Sequence, residues 1–516
     1  MDSAQKPRIC ISVCEPTIAA LERAIASAAE VSDLLELRLD CLDAVNLQSA
    51  TGLITKLVQK APGEFILTFR PLPEGGQRDL DIETRHAFWS DAIFSDSLYD
   101  VELDLAEKFT ANETATALPI DWRRTICSHH DFSGVPAKLD QIYDRMAATP
   151  ARVLKIAVQA HDAIDCLPVF NVLERAREEG REMIAIAMGT AGIATRILGP
   201  SRGGYLTYAS LETQSATAPG QTSARELQEL YRIGSIDRQT AIFGLIGATI
   251  SHSVSPHMHN ASFAAAAANA VYIPFEIHDV NAFLRRMIHP HTRELVWNLR
   301  GLSVTAPHKL AVMECLDWIE PGAAQIGAVN TIVVQDDALH GYNTDAAGFI
   351  KPLLAVGGDL RDARCAVIGA GGSASAALYS LIASGAVASV FSRDITKARA
   401  LGQRFGVESF SLEDARFEGF DVVVNATPLG TLGAFVDETP AKAMQLRGAR
   451  LAYDLVYNPT DTRFLREARE AGSDTLGGLA MLVAQATEQY KLWTGEAPQE
   501  DVMYEAARRR LAESKF

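Results

Sequence analysis

The chain has 516 residues, 48% hydrophobic and 22% charged, which is enough for two or three domains with sizeable cores. Its formal net charge of −16 argues against a nucleic-acid partner, and it means that local Arg and Lys must hold any anionic substrate against the sign of the whole. The seven cysteines (Cys10, Cys14, Cys41, Cys127, Cys166, Cys315, Cys365) are odd in number and scattered without a C-x-x-C pair, which predicts buried free thiols and neither a disulfide frame nor a metal site.

A strand-like run begins at residue 9, which leaves no room for a targeting segment. The longest apolar stretch, 261–268, is too short to span a bilayer, so the expectation is a cytoplasmic protein without a membrane partner. Across the first half, runs at 9–13, 34–39, 65–69, 98–103, 125–128, 153–158, 183–187 and 205–209 alternate with helical stretches. Eight strands so spaced predict an α/β fold, a (β/α)8 TIM barrel. The competing open sheet would want a glycine-rich phosphate loop that this half lacks.

Barrel chemistry sits where strands end, so polar residues there matter most. Glu36 and Arg38 are two apart and face the same way. Arg70 ends the third strand and Glu74 follows it. His130 follows the fifth run in Cys127-Ser128-His129-His130-Asp131, Arg196 follows the seventh, and Thr217 and Gln221 follow the eighth. Lys155 lies inside an apolar strand, where an ammonium costs several kcal/mol unless paired or neutral. A lysine pushed toward neutrality is what a Schiff base needs. Each has a plainer reading alone: Lys155 with its head in solvent, His130 as a satisfied loop histidine, Glu36 and Arg38 as a structural ion pair. Their convergence on one opening favours catalysis.

The runs Glu36-Leu37-Arg38-Leu39-Asp40, Thr68-Phe69-Arg70, Ser128-His129-His130-Asp131-Phe132, Lys155-Ile156-Ala157-Val158 and Ala218-Pro219-Gly220-Gln221 resemble type I 3-dehydroquinate dehydratase. The likeness covers the barrel, taken as 1–233. It implies Lys155 as the Schiff-base lysine, His130 as general acid and base with Glu74 as its helper, and Glu36, Arg38, Arg70, Arg196, Thr217 and Gln221 as substrate ligands. Thr217 stands where bacterial members usually carry Ser.

An amphipathic helix is predicted at 224–233, then a strand at 241–247. Ser253 and Ser255 precede and follow Val254 before Pro256, where capping a helix is the commoner use of Ser. Lys309 is expected one turn into a helix started by Pro307, against the helix dipole, and Asp345 at a helix start that the dipole favours. The firmest signal is Gly369-Ala370-Gly371-Gly372-Ser373-Ala374, a G-x-G-x-x-A turn between a strand and a helix, which fits a dinucleotide pyrophosphate. The next strand ends Ser392-Arg393 with Lys397 four residues on, cations that suit the 2′-phosphate of NADP. Asp394 beside them would suit the 2′-OH of NAD.

The runs Ser253-Val254-Ser255-Pro256, Val304-Thr305-Ala306-Pro307-His308-Lys309, Gly327-Ala328-Val329-Asn330-Thr331, Asn343-Thr344-Asp345, Asn425-Ala426-Thr427-Pro428-Leu429-Gly430 and Gly478-Leu479-Ala480-Met481 resemble shikimate dehydrogenase. That likeness implies Lys309 and Asp345 as the catalytic pair. It places Ser253, Ser255, Ser303, Thr305, Asn330, Tyr457 and Gln485 on substrate, and Ser392, Arg393, Lys397, Asn425, Ala426, Thr427, Gly478 and Met481 with the glycine turn on NADP. Ser303 replaces the Asn usual in bacterial members. The expected lobes are a substrate lobe at 240–345 completed by 480–516, and a Rossmann NADP lobe at 346–479. Together the likenesses imply a bifunctional enzyme that makes 3-dehydroshikimate and reduces it to shikimate, with small-molecule partners only and no metal. The alternatives are a second half that prefers quinate, and a metabolite-sensing regulator derived from these enzymes.

Overall fold

The computed structural model describes residues 7–47, 63–91, 97–111, 120–211, 220–250 and 253–513. The chain forms two compact units: Met1–Thr240 with Ile273–Met287 and Thr292–Asn298, and Ala241–Tyr272 with Ile288–His291 and Leu299–Phe516.

The first unit holds eight parallel strands: β1 (Ile9–Val13), β2 (Leu34–Arg38), β3 (Glu64–Thr68), β4 (Leu98–Glu102), β5 (Thr125–Asp131), β6 (Val153–Gln159), β7 (Glu182–Met188) and β8 (Thr207–Ala209). Their order, β7-β6-β5-β4-β3-β2-β1-β8, is that of a nearly closed barrel, with the ends of the expected strands met to within three residues. The period-two alternation of strands layers the interior. Cys10, Leu34, Ile66, Leu98, Ile126 and Val153 form one apolar cluster. Two residues further along each strand stand Ser12, Glu36, Thr68, Asp100, Ser128 and Lys155, all buried. A polar storey therefore rests on an apolar floor, and the floor keeps water from the polar side chains from below.

One expectation fails here. Cys14 and Cys41 form a disulfide with Cα atoms 5.4 Å apart, leaving five free cysteines. Parallel pairing of β1 with β2 carries the two strand ends out side by side, although 27 residues separate the cysteines in sequence. The helix expected at 224–233 is shorter, a π-helical turn at Glu226–Leu230.

Two further sheets follow in the chain. One is mixed, with β9 (Ala241–Gly247), β10 (Ala270–Glu276), β11 (Leu299–Val304), β12 (Trp318–Ile319), β13 (Thr331–Gln335) and β14 (Ala338–Tyr342) in the order β10-β9-β11-β13-β14-β12. The other is parallel, with β15 (Arg364–Ile368), β16 (Val387–Ser392), β17 (Glu408–Ser411), β18 (Val422–Asn425), β19 (Leu451–Asp454) and β20 (Asp474–Leu476) in the order β17-β16-β15-β18-β19-β20. Strand order reverses between β15 and β18, the switch point where such sheets bind nucleotides. Helix Leu479–Thr494 returns against helix Asp345–Gly357. A Cβ at Gly348 would lie 2.6 Å from that of Gln485, so glycine sets this close approach just beyond Asp345. Among the described residues, no helix is long and apolar enough to cross a membrane.

Candidate active sites

The barrel mouth opens on a pocket lined by Ser12, Glu36, Arg38, Arg70, Glu74, His130, Phe132, Lys155, Met188, Arg196, Tyr208 and Gln221, among others. Every described barrel residue singled out in the sequence is among them; Thr217 lies outside the described residues. Lys155 is only 4% exposed, and its Nζ donates to Asp100 at 2.7 Å, Tyr208 at 3.0 Å and Glu36 at 3.3 Å. Pairing, not solvent, answers the cost of its burial.

Against the desolvation of full burial, Arg70 and Lys155 bring Asp100 down to about 2. Glu36 is also lowered against its burial, by Lys155 and Arg38, and accepts from Ser12 at 2.5 Å and Thr68 at 2.9 Å. Arg70 bridges Asp100 at 2.8 Å, Glu102 at 3.1 Å and Ser128 at 2.7 Å. Burial carries Glu102 up to about 7, and Arg85 holds its other oxygen at 3.0 Å.

His130 Nδ1 lies 3.2 Å from Glu74 Oε2, which also accepts from the His130 backbone at 3.1 Å. Burial, then the positive charges of Arg70, Lys155 and Arg38, push the imidazole well below 6.5, while burial raises Glu74 to about 8. A neutral imidazole beside a protonated carboxyl is therefore the state near neutral pH, and it leaves the ring able to take a proton. Arg196 is 1% exposed, faces no carboxylate among the described residues and is lowered to about 10 by burial; its NH1 donates to the Tyr208 carbonyl at 3.1 Å. A buried guanidinium without a counter-ion is a fitting receptor for a substrate carboxylate.

Arg38 pairs with Asp40, not with Glu36, through two bonds of 2.9 and 2.7 Å. Asp40 is buried and also accepts from the Arg70 backbone at 3.3 Å and the Gln77 backbone at 3.0 Å, tying the loop after β3 to the pocket. Substituting Asp40→Ala strands the Arg38 charge, so a loss of about 3–5 kcal/mol is expected, read as a lowered denaturation midpoint with a raised KM of the barrel reaction. An unchanged midpoint would show that Arg38 finds another partner. Asp40, Asp100, Glu102, Ser128 and Tyr208 were missed in the sequence. For Asp100 and Glu102 the signal was there, an acid within an apolar strand, the same that marked Lys155.

In the second unit Lys309 Nζ pairs with Asp345 Oδ2. Asn330 donates to the other Asp345 oxygen at 2.7 Å and to Thr344 at 2.9 Å, fixing the carboxylate from behind. Asp345 starts its helix as expected, but Lys309 does not lie in one. His308 N bonds Thr305 O at 3.0 Å, closing a tight turn, and regular structure resumes only at Ala311–Cys315. The helix-dipole argument for Lys309 therefore falls.

Ser303 accepts from Tyr272 at 2.7 Å and donates to Gln489 at 2.9 Å. Ser253 accepts from the Ser255 backbone at 3.2 Å, and Ser255 is buried. Tyr457 packs on the cluster that holds Val254 and Val483. Gln485 is buried and donates to the Leu482 carbonyl at 2.8 Å.

A cleft lined by Thr305, Lys309, Gly371, Gly372, Ser373, Lys397 and Arg404 joins the Lys309 turn to the glycine loop. Gly369 has φ 125° and a Cβ there would lie 2.8 Å from the Ala426 carbonyl, so only glycine fits. Helix Gly372–Ala383 starts at this turn and Ala374 is buried against the sheet. Backbone N–H groups at a helix start beside an open glycine turn fit a pyrophosphate.

Ser392 is half-buried and Arg393 exposed at the end of β16, outside the residues lining the cleft. Asp394 caps the next helix, accepting from Thr396 N at 3.0 Å and Lys397 N at 3.3 Å. Asn425 is fully buried, its amide held by Asp454 at 2.9 Å and its oxygen by Thr427 at 2.6 Å, so it braces the loop of Ala426 and Thr427. A Cβ at Gly478 would lie 2.5 Å from the Leu455 carbonyl, and Met481 belongs to the Rossmann core. Arg404, which the sequence did not flag, lines the cleft while donating to the Gln325 carbonyl at 2.7 Å.

A barrel with a buried amine at its mouth, joined in one chain to a Rossmann-type unit with a lysine–aspartate pair at its cleft, defines a fusion of a lyase with a nucleotide-dependent oxidoreductase. Family comparison makes both halves specific. Residues 9–238 match the type I 3-dehydroquinase family, 245–332 the shikimate dehydrogenase substrate binding domain, and 478–508 the shikimate 5′-dehydrogenase C-terminal domain. The bifunctional 3-dehydroquinate dehydratase/shikimate dehydrogenase of Arabidopsis thaliana, a chloroplastic protein, is 34% identical over 95% of this chain and 83% of its own length. The shikimate biosynthesis protein AroDE of Chlamydia pneumoniae is 27% identical over 94% of this chain and 95% of its own. A crystal structure of a shikimate dehydrogenase in complex with NADP+ is 35% identical, with a TM-score of 0.50 over 54% of this chain and 97% of that one. The chain belongs to the bifunctional 3-dehydroquinate dehydratase/shikimate dehydrogenase family, enzymes of the shikimate pathway that join a lyase to an oxidoreductase. Neither the quinate-preferring nor the regulator alternative is favoured by these matches.

Proposed function

We propose that Lys155 forms the Schiff base with 3-dehydroquinate, that His130 with Glu74 removes the ring proton and returns one to the departing hydroxyl, and that Arg196 with Gln221 and Thr217 holds the substrate. The observation that carries the reading is the buried Lys155 Nζ, sharing one pocket with a neutral His130 and with an Arg196 that has no counter-ion among the described residues. Attack on the ketone gives an iminium that acidifies the neighbouring carbon, and loss of water follows. Borohydride added with 3-dehydroquinate tests it: the adduct is expected on Lys155, and an adduct elsewhere, or none, sinks the reading.

For the second unit the proposal is reduction of 3-dehydroshikimate to shikimate, with NADP held by the glycine turn, Ser373 and Lys397. NADPH, when bound, supplies the reducing equivalents. Lys309 holds a proton at Nζ for the ketone oxygen, Asp345 holds Lys309, and Asn330 orients Asp345. Ser253, Ser255, Ser303, Thr305, Tyr457 and Gln485 are proposed to shape the substrate side. NADP over NAD is supported by Lys397 in the cleft, while Asp394 caps the next helix through Oδ1. With NADPH the kcat/KM is expected to exceed that with NADH at least about tenfold, worth ~1.4 kcal/mol; an NADH preference would overturn it. The proposed lobes remain 1–233, 240–345 with 480–516, and 346–479, and the proposed compartment is the cytoplasm.

A further inference from the structure

Tyr208 lies on β8 beside Cys10 of β1, is 5% exposed, and turns its ring into the barrel pocket. Lys155 Nζ stands 4.2 Å from its ring centroid and 3.0 Å from its hydroxyl. The other two partners of Nζ are carboxylates, and neither has a proton to give. Asp100 is held at about 2 by Arg70 and Lys155 against its burial, and Glu36 is lowered likewise. The nearby Ser12 and Thr68 hydroxyls are committed to Glu36. The Tyr208 phenol is different. Burial, then Glu36, Cys10 and Asp100, keep its proton on, and since its oxygen accepts from Nζ, its own O–H is left for whatever arrives at that nitrogen.

We propose that Tyr208 is a catalytic residue of the dehydratase, whose hydroxyl passes protons between the Lys155 nitrogen and the ketone oxygen as the Schiff base forms and is hydrolysed. The proposal rests on Lys155 being the Schiff-base lysine. Nζ donates three bonds and so begins as an ammonium. As one of its protons passes to the Tyr208 oxygen, the freed lone pair forms the C–N bond, the C=O π pair moves onto the ketone oxygen, and Tyr208 gives that oxygen its O–H proton, which leaves a carbinolamine protonated on nitrogen and an unchanged phenol. In a second relay Tyr208 protonates the carbinolamine hydroxyl and takes another proton from the nitrogen, whose lone pair closes the C=N bond as water leaves. The iminium keeps one proton, the phenol is again unchanged, and hydrolysis of the product imine runs the same relay in reverse. His130, engaged with Glu74, is left to the ring carbon.

The test uses the full chain carrying Tyr208→Phe, which keeps the ring and removes the hydroxyl. Mixing with 3-dehydroquinate and quenching with borohydride at intervals gives the rate at which Lys155 becomes labelled, read by mass. Labelling is expected to slow at least about tenfold, and kcat of dehydration to fall by a similar factor. Binding of quinate, which has the carboxylate and ring but no ketone, should stay within about twofold by calorimetry. Labelling as fast as in the parent would overturn the proposal whatever happens to kcat. Quinate binding weakened by the same factor as labelling would overturn it too, since the hydroxyl would then serve pocket packing. If the parent itself is not labelled at Lys155, it is the Schiff-base reading that fails, and this proposal with it.

Discussion

Lys155→Ala is expected to lower the kcat of dehydration at least about 10⁴-fold, while the same purified chain still reduces 3-dehydroshikimate within about twofold of the parent. The size follows from what the side chain is. No neighbour of Nζ can replace it: Asp100, Glu36 and Tyr208 are oxygen groups, and none forms an imine. Lys155→Arg should not rescue, because a guanidinium keeps the charge for Asp100 but is no nucleophile near neutral pH. The Arg variant also separates the effects, since it retains a cation beside two buried acids while the Ala variant does not. Dehydration that survives in either variant at more than about a hundredth of the parental rate would remove the covalent mechanism.

The second large effect concerns Lys309→Met, which keeps the length of the side chain and removes its charge. The kcat of reduction is expected to drop about 10²- to 10⁴-fold with a much smaller rise in KM, and dehydration should be untouched. Asp345→Asn should act in the same direction, because it leaves Lys309 without its partner and Asn330 facing an amide. A raised KM with unchanged kcat would make Lys309 a binding residue only.

What could be read in the sequence depended on the range of the interaction concerned. Strands of a parallel sheet are buried on both faces, so they show as contiguous apolar runs, and β1 to β7 were found close to their true bounds. β8 is three residues long and was placed two residues early, because Tyr205 and Leu206 continue the same pattern outside the sheet. Lys155, His130 and Arg196 were legible as polar residues in or just after such runs. Their partners were not. Tyr208 and Asp100 lie 53 and 55 residues from Lys155, and no local pattern joins them. The Cys14–Cys41 bridge was invisible for the same reason, since only strand pairing brings the two together. Lys309 failed differently: Pro before a polar run predicts a helix start by local preference, and the chain closes a tight turn there instead. Asp394, which raised the alternative of NAD, caps the next helix, a local event that periodicity does not reveal.

Arg196 carries one more consequence. Folding hides this charge without neutralising it among the described residues, where Nε lacks a hydrogen-bond partner and no acid stands alongside. On the proposed reading, a substrate carboxylate would supply the counter-ion that the described residues do not. Occupancy and folding are then thermodynamically linked, so the substrate acts as a stabilising cofactor of its own enzyme while it is being consumed. A barrel turning over at high substrate concentration would be the sturdier for it, and one starved of substrate the more open to unfolding.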